Sequence, residues 1–85
     1  MNKIFSDIAW DQYLAREIED KKILKKINDL IKDIDHNGNQ GIGKPEPLKH
    51  ELAGYWSRRI TEVHRLIYSI DDENIYIASC SGHYK

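Results

Sequence analysis

The chain has 85 residues, enough for one domain spanning 1–85 with a small core. Its formal net charge of -1 gives no global signal for nucleic acid. Hydrophobic content of 40% is ordinary for a folded domain. No apolar run is long enough to span a bilayer. The sole cysteine, Cys80, excludes an intrachain disulfide, so a cytoplasmic protein with Cys80 as a small buried residue is expected.

Asn2 to Phe5 reads as a short strand. Ser6 or Asp7 can cap the helix after it by accepting from its free N–H groups. Ile8, Ala9, Trp10, Tyr13, Leu14 and Ile18 give that helix a loose apolar stripe, with Trp10 and Tyr13 expected in the core or at an interface. Asp20 opens a clearer helix. Ile23, Leu24, Ile27, Leu30, Ile31 and Ile34 recur at amphipathic spacing, while Lys21, Lys22, Lys25, Lys26 and Lys32 fall mainly on the other side as a solvated face. The two helices are expected to form an antiparallel hairpin. Gly38, Gly41 and Gly43 then read as a flexible connection.

The stretch KPEPLKHELAGYWSRRITEVHRLIY, Lys44 to Tyr68, carries most of the chemistry. Lys44, Lys49, Arg58, Arg59 and Arg65 outnumber Glu46, Glu51 and Glu62 there, a local and modest basic excess. Pro45 and Pro47 flank Glu46 and make a rigid extended spacer that holds its carboxylate in place. Tyr55–Thr61 and His64–Ile70 alternate as strands. Asn74–Cys80 is aliphatic and expected inside the sheet, after a turn at Asp71-Asp72-Glu73-Asn74. The order of elements predicts an α+β fold, a two-helix hairpin packed on one face of a mostly antiparallel sheet. If Leu66, Tyr68 and Ile70 face the helices, alternation sends Arg65 to the open face, where a suitable register would add Arg59.

An acid, an arginine and a terminal histidine are the parts that metal-free RNA cleavage needs. A base takes the proton of the 2′-hydroxyl, a cation stabilises the charged phosphorane, and an acid protonates the leaving 5′-oxygen. Glu46, Arg65 and His83 can fill those roles: arginine meets phosphate bidentately and histidine holds a donatable proton near neutral pH. Tyr84 can orient the phosphate or stack on a base. Singly, Glu46 reads as a surface acid, Arg65 as half of an ion pair with Glu46 or Glu62, and His83 and Tyr84 as a frayed end. His36, His50 and His64 read as surface or packing histidines. No metal-ligand spacing or phosphate-binding glycine loop is present, and no cofactor is implied.

The runs GKPEPLKH, WSRRIT and HRL, with the ending SCSGHYK, resemble the YoeB/Txe family of the RelE/ParE toxin superfamily, and the likeness extends back to Trp10-Asp11-x-Tyr13. The resemblance implies a microbial-RNase-like α+β fold and a toxin–antitoxin toxin that cleaves mRNA in the ribosomal A site. By resemblance Glu46 matches the general base, Arg65 the phosphate-stabilising arginine, His83 the general acid and Tyr84 the orienting aromatic. Lys49 and Arg59 match positions expected to contact RNA. Val63 departs from a family pattern that carries an acid there. Implied partners are a YefM/Axe-like antitoxin, the ribosome with its mRNA and rRNA, operator DNA through the antitoxin complex, and a second copy of the chain. The ParE branch of the same superfamily supplies the competing expectation, a non-enzymatic toxin that binds DNA gyrase. A relative that binds antitoxin without cleaving is a further alternative.

Overall fold

Residues 1–82 are described by the structure, a computed structural model of the chain. A strand, β1 (Asn2–Phe5), leads into helices α1 (Asp7–Glu19) and α2 (Lys21–Asn37). The short β2 (Glu46–Pro47) and a 3-10 turn at His50–Leu52 precede the meander of β3 (Trp56–Arg59), β4 (Arg65–Ile70) and β5 (Asn74–Ser79). The five strands lie in the order β1-β5-β4-β3-β2. β1 runs parallel to β5, and the other pairs are antiparallel.

Local chemistry explains the element ends. The Ser6 side chain accepts from the Ala9 N–H and starts α1. Asp20 then serves twice: its N–H closes α1 on the Arg16 carbonyl, and its carboxylate caps α2 at Lys22 and Ile23. The helices therefore meet at one residue, and the Tyr13 hydroxyl donates to Asn28 Oδ1 across the pair at 2.7 Å. Asp71 closes the β4–β5 turn by accepting from the N–H groups of Glu73 and Asn74.

The helix hairpin covers one sheet face. Ile27, Leu30, Ile31 and Ile34 of α2 and Ala9 of α1 pack with Leu66 and Tyr68 of β4 and Ile75 and Ile77 of β5. Cys80 joins this core; burial pushes its thiol up to about 11, so it is a poor nucleophile near neutral pH. Of the two aromatics expected in the core or at an interface, Tyr13 packs against the core and Trp10 does not. Trp10 stacks on Tyr13 at 5.8 Å with 46% of its surface exposed. Ala9 is the one fully buried position of α1, because the helix turns only that residue into the core while Ile8 and Ile18 face outward.

Arg58 sets the path of the loop after α2. It lies opposite Leu66 in the β3–β4 register, so its side chain enters the helix-side core, where it is fully buried. Its Nε donates to the Tyr68 hydroxyl, Nη1 to Asp33 and the Ile42 carbonyl, and Nη2 to the carbonyls of Gly38 and Gln40. Asp33 also accepts from the Ile42 N–H at 3.1 Å. The glycine-rich connection is thus fastened rather than flexible. Its glycines answer to close approach: a Cβ on Gly41 would fall 1.9 Å from Asp33 Oδ2, and one on Gly43 would fall 2.7 Å from Leu30.

The hydrogen bond from Arg58, helped by those from Asn37 and Ile42, holds the Asp33 carboxyl below its ordinary 3.8. Replacing Asp33 by Asn strands a buried guanidinium charge and should cost about 3 kcal/mol of unfolding free energy at neutral pH. The parent's advantage is complete above the unfolded value of 3.8 and is lost as pH falls through the lower folded value. Denaturant titrations of the parent and Asp33→Asn should therefore converge in acid; a gap that stays constant to pH 2 would contradict this role.

Candidate functional site

The sheet face away from the helices gathers the expected residues by register. Glu46 lies directly opposite Ser57, and Arg59 directly opposite Arg65. Directly opposed residues share a face, as do residues two apart in one strand, so Glu46, Ser57, Arg59 and Arg65 all project to the open side. Arg65 Nη1 donates to the buried Ser57 hydroxyl at 3.0 Å. This bond fixes the half-buried guanidinium beside the strand that carries the partner of Glu46. Ser57 went unnoticed in the sequence, where only the i/i+2 relation to Arg59 marks it.

β2 can form because its one proline, Pro47, suits an edge strand. Pro47 has no N–H to offer, and the two-residue strand needs only one paired side. Glu46 is exposed there, and Leu48 beyond it is buried and donates its N–H to the Tyr55 carbonyl. Left-handed backbone at Lys44 (φ 52) and His50 (φ 58) brackets this stretch, each a departure that L-residues adopt at some cost. Between them Glu46, Lys49, His50 and Leu52 border a pocket of about 560 Å³, a size typical of small-ligand sites. Lys49 and Arg59 are exposed on either side of that region, free to meet an anion.

The last described residues reach the start of β4, beside Arg65. The Arg65 N–H donates to the Gly82 carbonyl at 3.1 Å, and the Gly82 N–H donates to His64 Nδ1 at 2.8 Å. Two of the expected catalytic residues, His83 and Tyr84, lie outside the described residues. Of the two readings open to it, surface or packing, His64 takes the second: it contacts Arg16 and Ser81 as well. Arg16 lies 65 positions from Ser81, so no local pattern could have marked it. Among the described residues no group of three His, Cys, Asp or Glu side chains is placed to hold a metal ion, and no helix is long and apolar enough to cross a membrane.

Residues 5–84 match a family model described as the YoeB-like toxin of bacterial type II toxin–antitoxin systems. Toxin YoeB of Escherichia coli strain K12 is 55% identical over 84 residues, covering 99% of this chain and 100% of that protein. A YoeB-YefM complex from Staphylococcus aureus superposes with a TM-score of 0.93 at 53% identity, covering 99% of this chain and 98% of that one. A YoeB dimer from the same species superposes at 0.94 and 54% identity with the same coverage.

Like charges directly opposite one another in a sheet are destabilising, and a phosphate between Arg59 and Arg65 would offset that repulsion. Titrating the protein with a short uncleavable 2′-deoxy oligonucleotide should shift the NMR resonances of Ser57, Arg59, Arg65 and Lys49. Shifts confined to Lys25 and Lys32 on α2 would place the anion-binding face elsewhere.

Proposed function

The chain belongs to the YoeB-like toxin family of bacterial type II toxin–antitoxin systems, and from that premise we propose that it is a ribosome-dependent mRNA endonuclease. The observation that carries this reading is the shared open face. Glu46 and Arg65 project to the same side of the sheet, and the Gly82 carbonyl is bonded to the Arg65 N–H, one peptide short of His83.

In the proposed reaction Glu46 takes the proton of a substrate 2′-hydroxyl, whose oxygen attacks the adjacent phosphorus. The bond from phosphorus to the 5′-oxygen breaks, and His83 protonates that oxygen. The products are a 2′,3′-cyclic phosphate and a 5′-hydroxyl, and the step uses no metal ion or cofactor. Arg65, steadied by Ser57, meets the negative charge that builds on the phosphorane. Tyr84 orients the substrate, and the exposed Lys49 and Arg59 contact the RNA backbone on either side. The ribosome presents mRNA in its A site, in the cytoplasm, because a lone chain of net charge -1 has little general attraction for RNA. The cognate partner is a YefM-like antitoxin, by analogy with the Staphylococcus aureus complex. Operator DNA is reached through that complex, and homodimerisation follows the dimer of the same species.

Primer extension on ribosomes programmed with a defined mRNA should show cuts within the A-site codon. Glu46→Ala and His83→Ala should each lower the single-turnover rate by on the order of a hundredfold or more. Arg65→Lys, which loses the bidentate fork, should lose a comparable amount. A 2′-deoxy nucleotide at the cut site should abolish cleavage; full-rate cutting of that substrate would eliminate the 2′-oxygen as nucleophile. Growth arrest with intact mRNA, persisting in Glu46→Ala, would instead favour a toxin that acts by binding.

A further inference from the structure

Arg16 and His64 stand outside the site as the family resemblance assigns it, yet both reach the last described turn of the chain. Arg16 projects from α1, and its Nη2 donates to Ser81 Oγ at 2.9 Å. The same nitrogen lies 3.3 Å from His64 Nε2. His64, immediately before β4, accepts the Gly82 N–H at Nδ1 over 2.8 Å, with Ser81 Oγ 3.4 Å from the same atom. With Nδ1 accepting, the ring proton sits on Nε2, so the Arg16 Nη2 approach there is not a hydrogen bond and Arg16 holds this turn through Ser81. The Arg65 N–H completes the set by holding the Gly82 carbonyl. Just upstream, the Cys80 N–H donates to Gln12 Oε1 at 2.7 Å, so α1 grips the tail at two successive points. Arg16 Nε is buried and makes no hydrogen bond among the described residues, so it is Nη2 that engages the chain, through Ser81.

We propose that Arg16 and His64 form a clasp on Ser81 and Gly82 that aims the chain end, and that both are thereby positioning residues for the general acid. The inference rests on the nuclease reading above, in which His83 protonates the leaving oxygen. Gly82 has φ 74, a conformation that glycine adopts without penalty, so sequence alone gives the following residue little direction. The clasp supplies it. With Gly82 bonded at both its N–H and its carbonyl, the peptide that leads to His83 starts from a fixed place beside Arg65. A misplacement of about 1 Å at a proton donor can cost a hundredfold in rate, which gives such a clasp its value.

Two measurements on the full chain test this, one independent of activity. In Arg16→Ala and His64→Phe, NMR hydrogen exchange of the Gly82 amide should quicken by about tenfold, the loss of one hydrogen bond, while the Ile77 amide in the core keeps its rate. Unchanged Gly82 exchange in both variants would overturn the clasp. On programmed ribosomes the same variants should lose on the order of tenfold to a hundredfold in maximal cleavage rate, with half-saturating toxin concentration unchanged. In a His83→Ala background each should cost less than about twofold, since residues acting through one group are not additive. A loss of equal size in both backgrounds would overturn the positioning role. Were His83→Ala to cleave as fast as the parent, the general-acid role of His83 would fail and the positioning role with it, while the exchange result would still judge the clasp; absence of cleavage by the parent would instead remove the nuclease reading.

Discussion

A guanidinium sealed inside a small core must have every N–H met, and Arg58 meets all five. Its partners come from α2, from β4 and from three carbonyls of the Gly38–Ile42 connection. One side chain therefore ties the helix layer, the sheet and the loop between them. That loop delivers the chain to Lys44, Pro45 and Glu46, and the Gly43 carbonyl accepts the Arg59 N–H at 2.7 Å as it passes. The position of the proposed base at the sheet edge is a consequence of how a buried charge two strands into the sequence is satisfied. Burying an ion pair is rarely the most stabilising use of core volume; here it fixes a loop that turns three backbone carbonyls toward the guanidinium.

The same strand divides two neighbouring arginines between two tasks. Alternation turns Arg58 into the core and Ser57 and Arg59 out to the open face. Helices cover the first face and leave the second to carry Glu46, Arg59 and Arg65. A sheet with one face packed under helices and one carrying charge suits a small toxin that must fold around few apolar residues. The extra residue in β5 at the β4–β5 register shift, near Ile67 and Tyr68, keeps Ile75 and Ile77 in the core while the strand end turns toward His64. Bulges of this kind re-aim a strand end next to functional sites.

Much of this was legible in the chain itself. The i, i+4, i+7 apolar recurrence of α2, the Ser6 and Asp20 caps and the period-two alternation of β3 and β4 each follow from local rules, and each appears in the structure within one or two residues. The shared face of Arg59 and Arg65 was conditional on register, which no single strand can specify, and the pairing supplies it. Other features depended on distant partners. Three glycines in a row of six read as freedom, because the arginine that fastens them lies some twenty residues away. Trp10 read as core or interface without a choice between them, because a loose apolar stripe does not reveal which of its residues the helix turns inward. The roles of Arg16 and His64 exist only once α1 and the chain end have been brought together, and neither residue carries a motif that announces them.

The central claim is that a carboxylate at the sheet edge, a guanidinium on the open face and the chain end close around a single phosphate. The most direct measurement is a structure of the protein on a ribosome whose A-site codon carries a 2′-deoxy nucleotide. The account predicts the Glu46 carboxylate within hydrogen-bond reach of the 2′ carbon's vacant position, about 3 Å from where the hydroxyl would sit, with Arg65 on the scissile phosphate and His83 facing the 5′-oxygen. A phosphate bound instead against the α2 lysines, with Glu46 turned to solvent, would contradict it.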